Sequence, residues 1–173
     1  MKSTRNITLT GLMIAIGLLI VSVLKNFGGQ PILKLFSPMH FPVYIAGLAI
    51  GPIEGLITGL FTPLLSYLIN QLPPSGPLAM MGELAIYGLV CGLGMRYLPI
   101  KDDKIKILVS LLVAMLVGRI MGGIITAYIL NAQDYSLSTW ISAYFLGTLP
   151  AILAHLFIVP MIVIALKKAG LLK

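Results

Sequence analysis

The sequence predicts an all-α membrane protein with six transmembrane helices and both termini in the cytoplasm. Three observations predict it. Hydrophobic residues make up 58% of the chain and charged residues 10%, with a mean hydropathy of +1.03, far from the composition of soluble globular domains. The apolar stretches approach the roughly 20 residues that a helix needs to cross a bilayer. The basic residues sit at the ends of those stretches, which is how membrane orientation is encoded. A chain of 173 residues has room for five or six spans in one transmembrane domain, residues 1–173, and none for a soluble catalytic or nucleotide-binding domain. The net charge of +7 then reflects orientation, and no nucleic-acid partner is expected. Cys91 is the single cysteine, which excludes an intrachain disulfide and a Cys-based metal cluster.

The first helix is expected from Ile7 to Leu24. Lys2 and Arg5 precede it as in a signal peptide, but the run is too long for a signal core and further spans follow, so it reads as a retained helix. Lys25 to Pro38 is rich in Gly, Pro and Lys and reads as a loop. The second helix, Phe41 to Ile50, is short and stops at Gly51-Pro52. The third covers Ile53 to Asn70, and a Pro-rich turn follows from Gln71 to Pro77. The fourth covers Leu78 to Leu98, and Lys101 to Lys106 reads as a charged loop. The fifth covers Ile107 to Leu130, followed by a polar loop to Ser138. The sixth is read as one helix, Thr139 to Leu166, kinked at Pro150 and Pro160.

The second helix is too short for a bilayer core of about 30 Å, so charge must decide whether it crosses. With six crossings, nine of the twelve basic residues fall on one side: Lys2, Arg5, Arg96, Lys101, Lys104, Lys106, Lys167, Lys168 and Lys173. With five, Lys2 and Arg5 face away from the other seven. Six crossings fit the positive-inside rule. The connections 25–40, 71–77 and 131–138 then face outward.

Four ionisable groups interrupt the apolar runs: His40, Glu83, Arg119 and His155. Such groups are costly in a bilayer and usually mark a site. Glu83 shares a helix face with Met80 and Tyr87, and Arg119 with Gly123 and Thr126. Trp140 and Tyr144 form a stripe that continues through Gly147 and Ala151 to His155. The expectation is an outward-facing cavity lined by His40, Glu83, Tyr87, Arg119, Trp140 and Tyr144, closed by loop residues near Lys34 and Pro74. Aromatic walls with a few polar groups suit a small organic ligand. Two readings of Glu83 and Arg119 stand open: a mutual pair that locks two helices, or separate contacts to a ligand. Trp140, Tyr135 and Tyr144 also fit an interfacial aromatic belt, and His155 reads as a helix–helix hydrogen bond. Nucleophile-elbow, zinc-protease and Walker A patterns are all missing. No catalytic residue, metal or cofactor is therefore assigned. A stand-alone transporter and an intramembrane enzyme are the rival classes.

Several stretches resemble the substrate-binding S components of energy-coupling factor (ECF) vitamin transporters. Ser37-Pro38-Met39-His40-Phe41-Pro42-Val43 resembles the Pro-Met-His-(Ile/Phe)-Pro-Val motif of one S-component group. Glu83-Leu84-Ala85-Ile86-Tyr87-Gly88-Leu89 is similar to that group's Glu-Leu-Xaa-Xaa-Tyr-Gly-Leu, and Gly118-Arg119 to its Gly-Arg pair. Gly11 and Ala15 stand where many S components carry Ala-Xaa-Xaa-Xaa-Ala, used to dock on the transmembrane coupling subunit. The resemblance implies substrate-binding residues Lys34, Met39, His40, Glu83, Tyr87, Arg119, Trp140 and Tyr144. It implies as partners a coupling subunit and two ATPases, in the cell membrane of a prokaryote. The chain would capture a vitamin from outside and deliver it by toppling in the lipid bilayer. The group's substrates include pantothenate and pyridoxine or hydroxymethylpyrimidine, which the residues alone do not separate.

Overall fold

The computed structural model describes residues 2–129 and 136–170. Among them all regular structure is helical: α1 (Lys2–Phe36), α2 (His40–Ala49), α3 (Pro52–Asn70), α4 (Leu78–Tyr97), α5 (Asp103–Ile124), α6 (Leu137–Ile141) and α7 (Leu149–Lys168). α5 widens into a π-helical turn over Ile125–Ile129, and α6 into another over Ser142–Leu146. Five of the described helices are long and apolar enough to cross a membrane, while His40–Ala49 and Leu137–Leu146 are shorter apolar helices.

The short α2 is the centre of the bundle. Eight of its ten residues are buried, and α1, α3, α4 and α7 pack around it. Ten residues rise only about 15 Å, but a helix sheathed in protein does not face the full hydrocarbon thickness. Lipid contact falls to its neighbours, whose outer faces carry large apolar side chains such as Leu19, Leu68, Leu116 and Phe157, all exposed.

Backbone contact between α3 and α4 sets this core. A methyl group on Gly88 would run into the backbone of Gly55, and one on Gly59 into the Leu84 carbonyl. Helices in lipid lack a hydrophobic drive to associate, so close approach through small residues supplies the packing. Tyr44, Leu84, Tyr87, Ile107 and Leu111 fill the space between α2, α4 and α5.

Side-chain contacts give the two ends of the bundle their identity. At one end Asn6 Nδ2 donates to Glu54 Oε1 at 2.6 Å, and Lys167 Nζ pairs with Asp103 Oδ2 at 2.6 Å. The starts of α1, α3 and α5 and the finish of α7 therefore gather there, with Arg5, Arg96, Lys101, Lys104, Lys106 and Lys168. At the other end Lys25 Nζ donates to the Asn70 carbonyl at 2.8 Å, and the starts of α2, α4 and α7 meet.

Three expected boundaries are corrected. The 25–40 stretch is mostly helical, because α1 runs to Phe36 across a break at Gly29, where φ is 62° and ψ is −154°. A positive φ is available to glycine at little steric cost, and Pro31 starts the next turn without needing an N–H partner. The charged loop is shorter than expected because α5 starts at Asp103. Asp102 caps it by accepting from the backbone N–H groups of Lys104 and Ile105 at 2.8 and 3.2 Å. The last helix is two helices. The chain breaks at Gly147-Thr148, and Pro150 lies in the first turn of α7, where a missing N–H costs nothing. Leu130 and the 131–135 stretch with Tyr135 lie outside the described residues, as do Lys173 and the side chain of Lys2.

Candidate functional site

At the end away from the basic cluster the helices part around a cavity of about 720 Å³, within the range of small-ligand sites. The segment after the Gly29 break supplies Gln30, Pro31, Leu33 and Lys34 to its wall, and Ser37, Pro38, Met39 and His40 follow at the entrance to α2. The 71–77 turn adds Leu72, Pro73 and Pro74. Met80 and Glu83 come from α4, Arg119 from α5, Ala143 and Tyr144 from the π turn, and Thr148 and His155 from the start of α7. The walls are largely apolar, with charge at Lys34, Glu83 and Arg119.

Each buried charge has its own holder. Tyr87 OH donates to Glu83 Oε1 from one turn along α4. Arg119 Nη1 donates to Thr148 Oγ1 at 3.3 Å, and its guanidinium lies 5.1 Å from the centre of the Phe145 ring. Thr148 in turn donates to the Tyr144 carbonyl at 2.7 Å. The Lys167–Asp103 ion pair lies at the far end of the bundle. Glu83 and Arg119 thus share the cavity without a salt bridge between them.

Six of the eight expected substrate-binding residues line the cavity: Lys34, Met39, His40, Glu83, Arg119 and Tyr144, and Pro74 lies at its edge as expected. Tyr87 and Trp140 do not. Tyr87 is fully buried behind Glu83. The Trp140 indole N–H is turned away to donate to the Arg119 carbonyl at 3.1 Å. Gly122 and Gly123 make room for α6 aromatics beside Arg119, since a methyl group there would meet Tyr144 and Trp140. The space they leave is filled by the protein itself.

Gln30, Thr148 and His155 line the cavity although the sequence did not place them there. Thr148 had a readable signal, because Thr before Leu149-Pro150 is a helix-start pattern. His155 was expected to make a helix–helix hydrogen bond. Instead both its nitrogens are buried without a hydrogen-bond partner, and its ring stacks on His40 at 5.5 Å between centres.

Gly11 and Ala15 lie on the exposed face of α1, and a methyl group on Gly11 would meet nothing within 4 Å. Gly17, by contrast, packs inside against Thr62 and Pro42. Gly11 borders a groove of about 510 Å³ between α1 and α3, walled by Ile7, Ile14, Ile53, Ile57 and Phe61, with Asn6, Thr10 and Glu54 along it.

A family model described as "ECF transporter, substrate-specific component" matches residues 5–169. No curated protein and no solved structure matches the chain. The match spans nearly the whole sequence, and the chain belongs to this family. It is a multi-pass membrane protein and the substrate-binding subunit of an ECF transporter, working with that transporter's membrane and ATPase components. It is not an enzyme.

Proposed function

We propose that this substrate-specific component captures a small vitamin bearing a carboxylate, pantothenate being the best fit, in the cavity bounded by Lys34, Met39, His40, Glu83, Arg119 and Tyr144. The observation that carries this is Arg119. Its guanidinium faces the cavity, 5% exposed as a residue, and among the described residues it has no carboxylate partner. A buried guanidinium held by a hydroxyl and an aromatic ring, with no anion in contact with it, favours a carboxylate, which it can grip with two parallel hydrogen bonds. Lys34 adds a second cation and Glu83 one anion, so the cavity carries net positive charge. Tyr87 and Trp140 are positioning residues in this reading, holding Glu83 and the Arg119 backbone. A second reading rests on Glu83, whose carboxylate on the wall suits the ring nitrogen of pyridoxine or hydroxymethylpyrimidine stacked against Tyr144.

The cavity opens outward in this proposal. Six crossings (α1, α2, α3, α4, α5 and α7) put both termini and the basic end in the cytoplasm of a prokaryote. Gly11 and Ala15 dock the coupling subunit, and the chain topples to deliver its ligand. Support comes from the exposure of both residues at the end opposite the cavity. One experiment tests capture and docking together. Wild-type chain and Ala15→Trp in nanodiscs are titrated with pantothenate, pyridoxine and hydroxymethylpyrimidine, and uptake is measured in cells. Pantothenate is expected to bind both proteins alike, while Ala15→Trp loses nearly all uptake. Binding of none of the three overturns the vitamin assignment, and full uptake by Ala15→Trp overturns the docking face.

A further inference from the structure

His155 and His40 come from helices far apart in sequence and meet at the cavity wall. Their rings stack at 5.5 Å with an interplanar angle of 22°. Phe41 and Tyr44 pack edge-on against His155, at 4.3 and 5.3 Å, and Tyr87 lies 5.5 Å from His40. The aromatic cage fixes both rings and offers His155 no hydrogen bond. Both nitrogens of His155 and Nδ1 of His40 are buried without a partner. The Ser37 backbone lies near both rings, and its carbonyl accepts the His40 backbone N–H at 3.1 Å, but it makes no hydrogen bond of good geometry to either nitrogen of His155 or to Nδ1 of His40.

Buried polar atoms are nearly always satisfied, and each exception calls for an explanation. Leaving one unmade forfeits its hydration with nothing gained in return. A purely structural stack would be served better by two apolar rings. Two neutral imidazoles carry two donors and two acceptors between them. A carboxylate can use only the donors, and an apolar group uses neither. A hydroxyl gives one hydrogen and accepts another, so it matches a wall that offers both.

We infer that the His40–His155 pair is a subsite for a hydroxyl group of the ligand, and that His155 is a substrate-contacting residue. This rests on the proposed cavity and divides it chemically. Arg119 takes the charged end of the ligand, and the imidazole pair takes a neutral, hydroxylated part. It also makes His155 a determinant of specificity, because a site built to hydrogen-bond a hydroxyl rejects the analogue that lacks it.

The test uses the full chain in nanodiscs, with pantothenate, pyridoxine and hydroxymethylpyrimidine as parent ligands. Each carries at least one hydroxyl, and each is paired with an analogue in which a hydroxyl is replaced by hydrogen. Calorimetry is run on every parent that the wild type binds. The wild type is expected to prefer the parent by about tenfold or more. His155→Phe keeps the ring stack and should bind parent and analogue within about twofold. His155→Gln restores a donor and an acceptor and should recover part of the preference. If His155→Phe fails to fold, His155→Leu takes its place, and an undiminished preference in that variant overturns the inference. An undiminished preference in His155→Phe overturns it directly. Should that occur while Arg119→Met still loses binding, the cavity reading stands and only the hydroxyl subsite falls. If neither variant alters binding, or no parent binds the wild type, both fall.

Discussion

The two ends of this bundle are built on opposite rules. Toward the basic end, helices are continuous and meet backbone to backbone, with Gly88 against Gly55 and Gly59 against Leu84. Toward the cavity, helices are interrupted, at Gly29 in α1, in the π turns after α5 and α6, and at Gly147-Thr148. The packed end satisfies its polar groups locally, as in Ser110 Oγ donating to the Lys106 carbonyl at 2.7 Å. The cavity end leaves Arg119 without an ion pair among the described residues and His155 without a hydrogen bond. Irregular backbone is tolerated at membrane depth where it lines a cavity. The contrast teaches that stability is concentrated at one end and binding capacity at the other.

The sharpest way to break that contrast is Arg119→Met. Removing one partner of a buried charged contact costs about 2–5 kcal/mol of binding, so ligand affinity should fall roughly 30-fold to 1,000-fold or more. The melting temperature of the ligand-free protein should stay level or rise, because an unpaired buried charge has been removed. Calorimetry and a thermal melt on the same nanodisc sample read both. A ligand-free melting point that drops by many degrees would make Arg119 part of the packing and erase the division.

Gly88→Ala probes the other end with a smaller effect. The added methyl group must displace the Gly55 backbone, and overpacking of this kind costs about 1–3 kcal/mol. Denaturant titration in mild detergent should show the loss, while the folded fraction binds ligand with wild-type affinity because Gly88 is away from the cavity wall. Lost affinity without lost stability would mean that the two ends are coupled through α4.

Much of the packed end was legible in the sequence. Apolar runs of spanning length and the basic residues at their ends are local signals. The cavity end was legible in its charges and not in its backbone. Gly28-Gly29 and Pro31 read as loop residues, yet Gly29 only turns the chain while Gln30–Phe36 resumes the helix and brings Lys34 to the cavity. Asp102 was read as part of a solvated turn, because an N-cap is recognised only once the helix start is placed. Trp140 and His155 exchanged expectations for one reason. Both lie on the stripe read along a single unbroken last helix, and the break at Gly147-Thr148 rotates the two halves independently. Trp140 is thereby aimed at the Arg119 carbonyl and His155 at His40, a relation that no helical spacing can show.

Trp140→Phe tests the finest part of the comparison, whether the cavity end is tuned from behind its wall. Phenylalanine keeps an aromatic ring beside Gly123 and Phe145 but deletes the indole N–H that donates to the Arg119 carbonyl. A hydrogen bond of this kind contributes about 0.5–1.5 kcal/mol net, so affinity should fall only about twofold to tenfold. The fall should depend on Arg119, since the bond acts by placing that residue's backbone. In an Arg119→Met background the second substitution should then change affinity by less than its single effect, a coupling that a double-mutant cycle measures directly. Equal losses in both backgrounds would assign Trp140 a role independent of Arg119, such as anchoring α6 in the membrane interface.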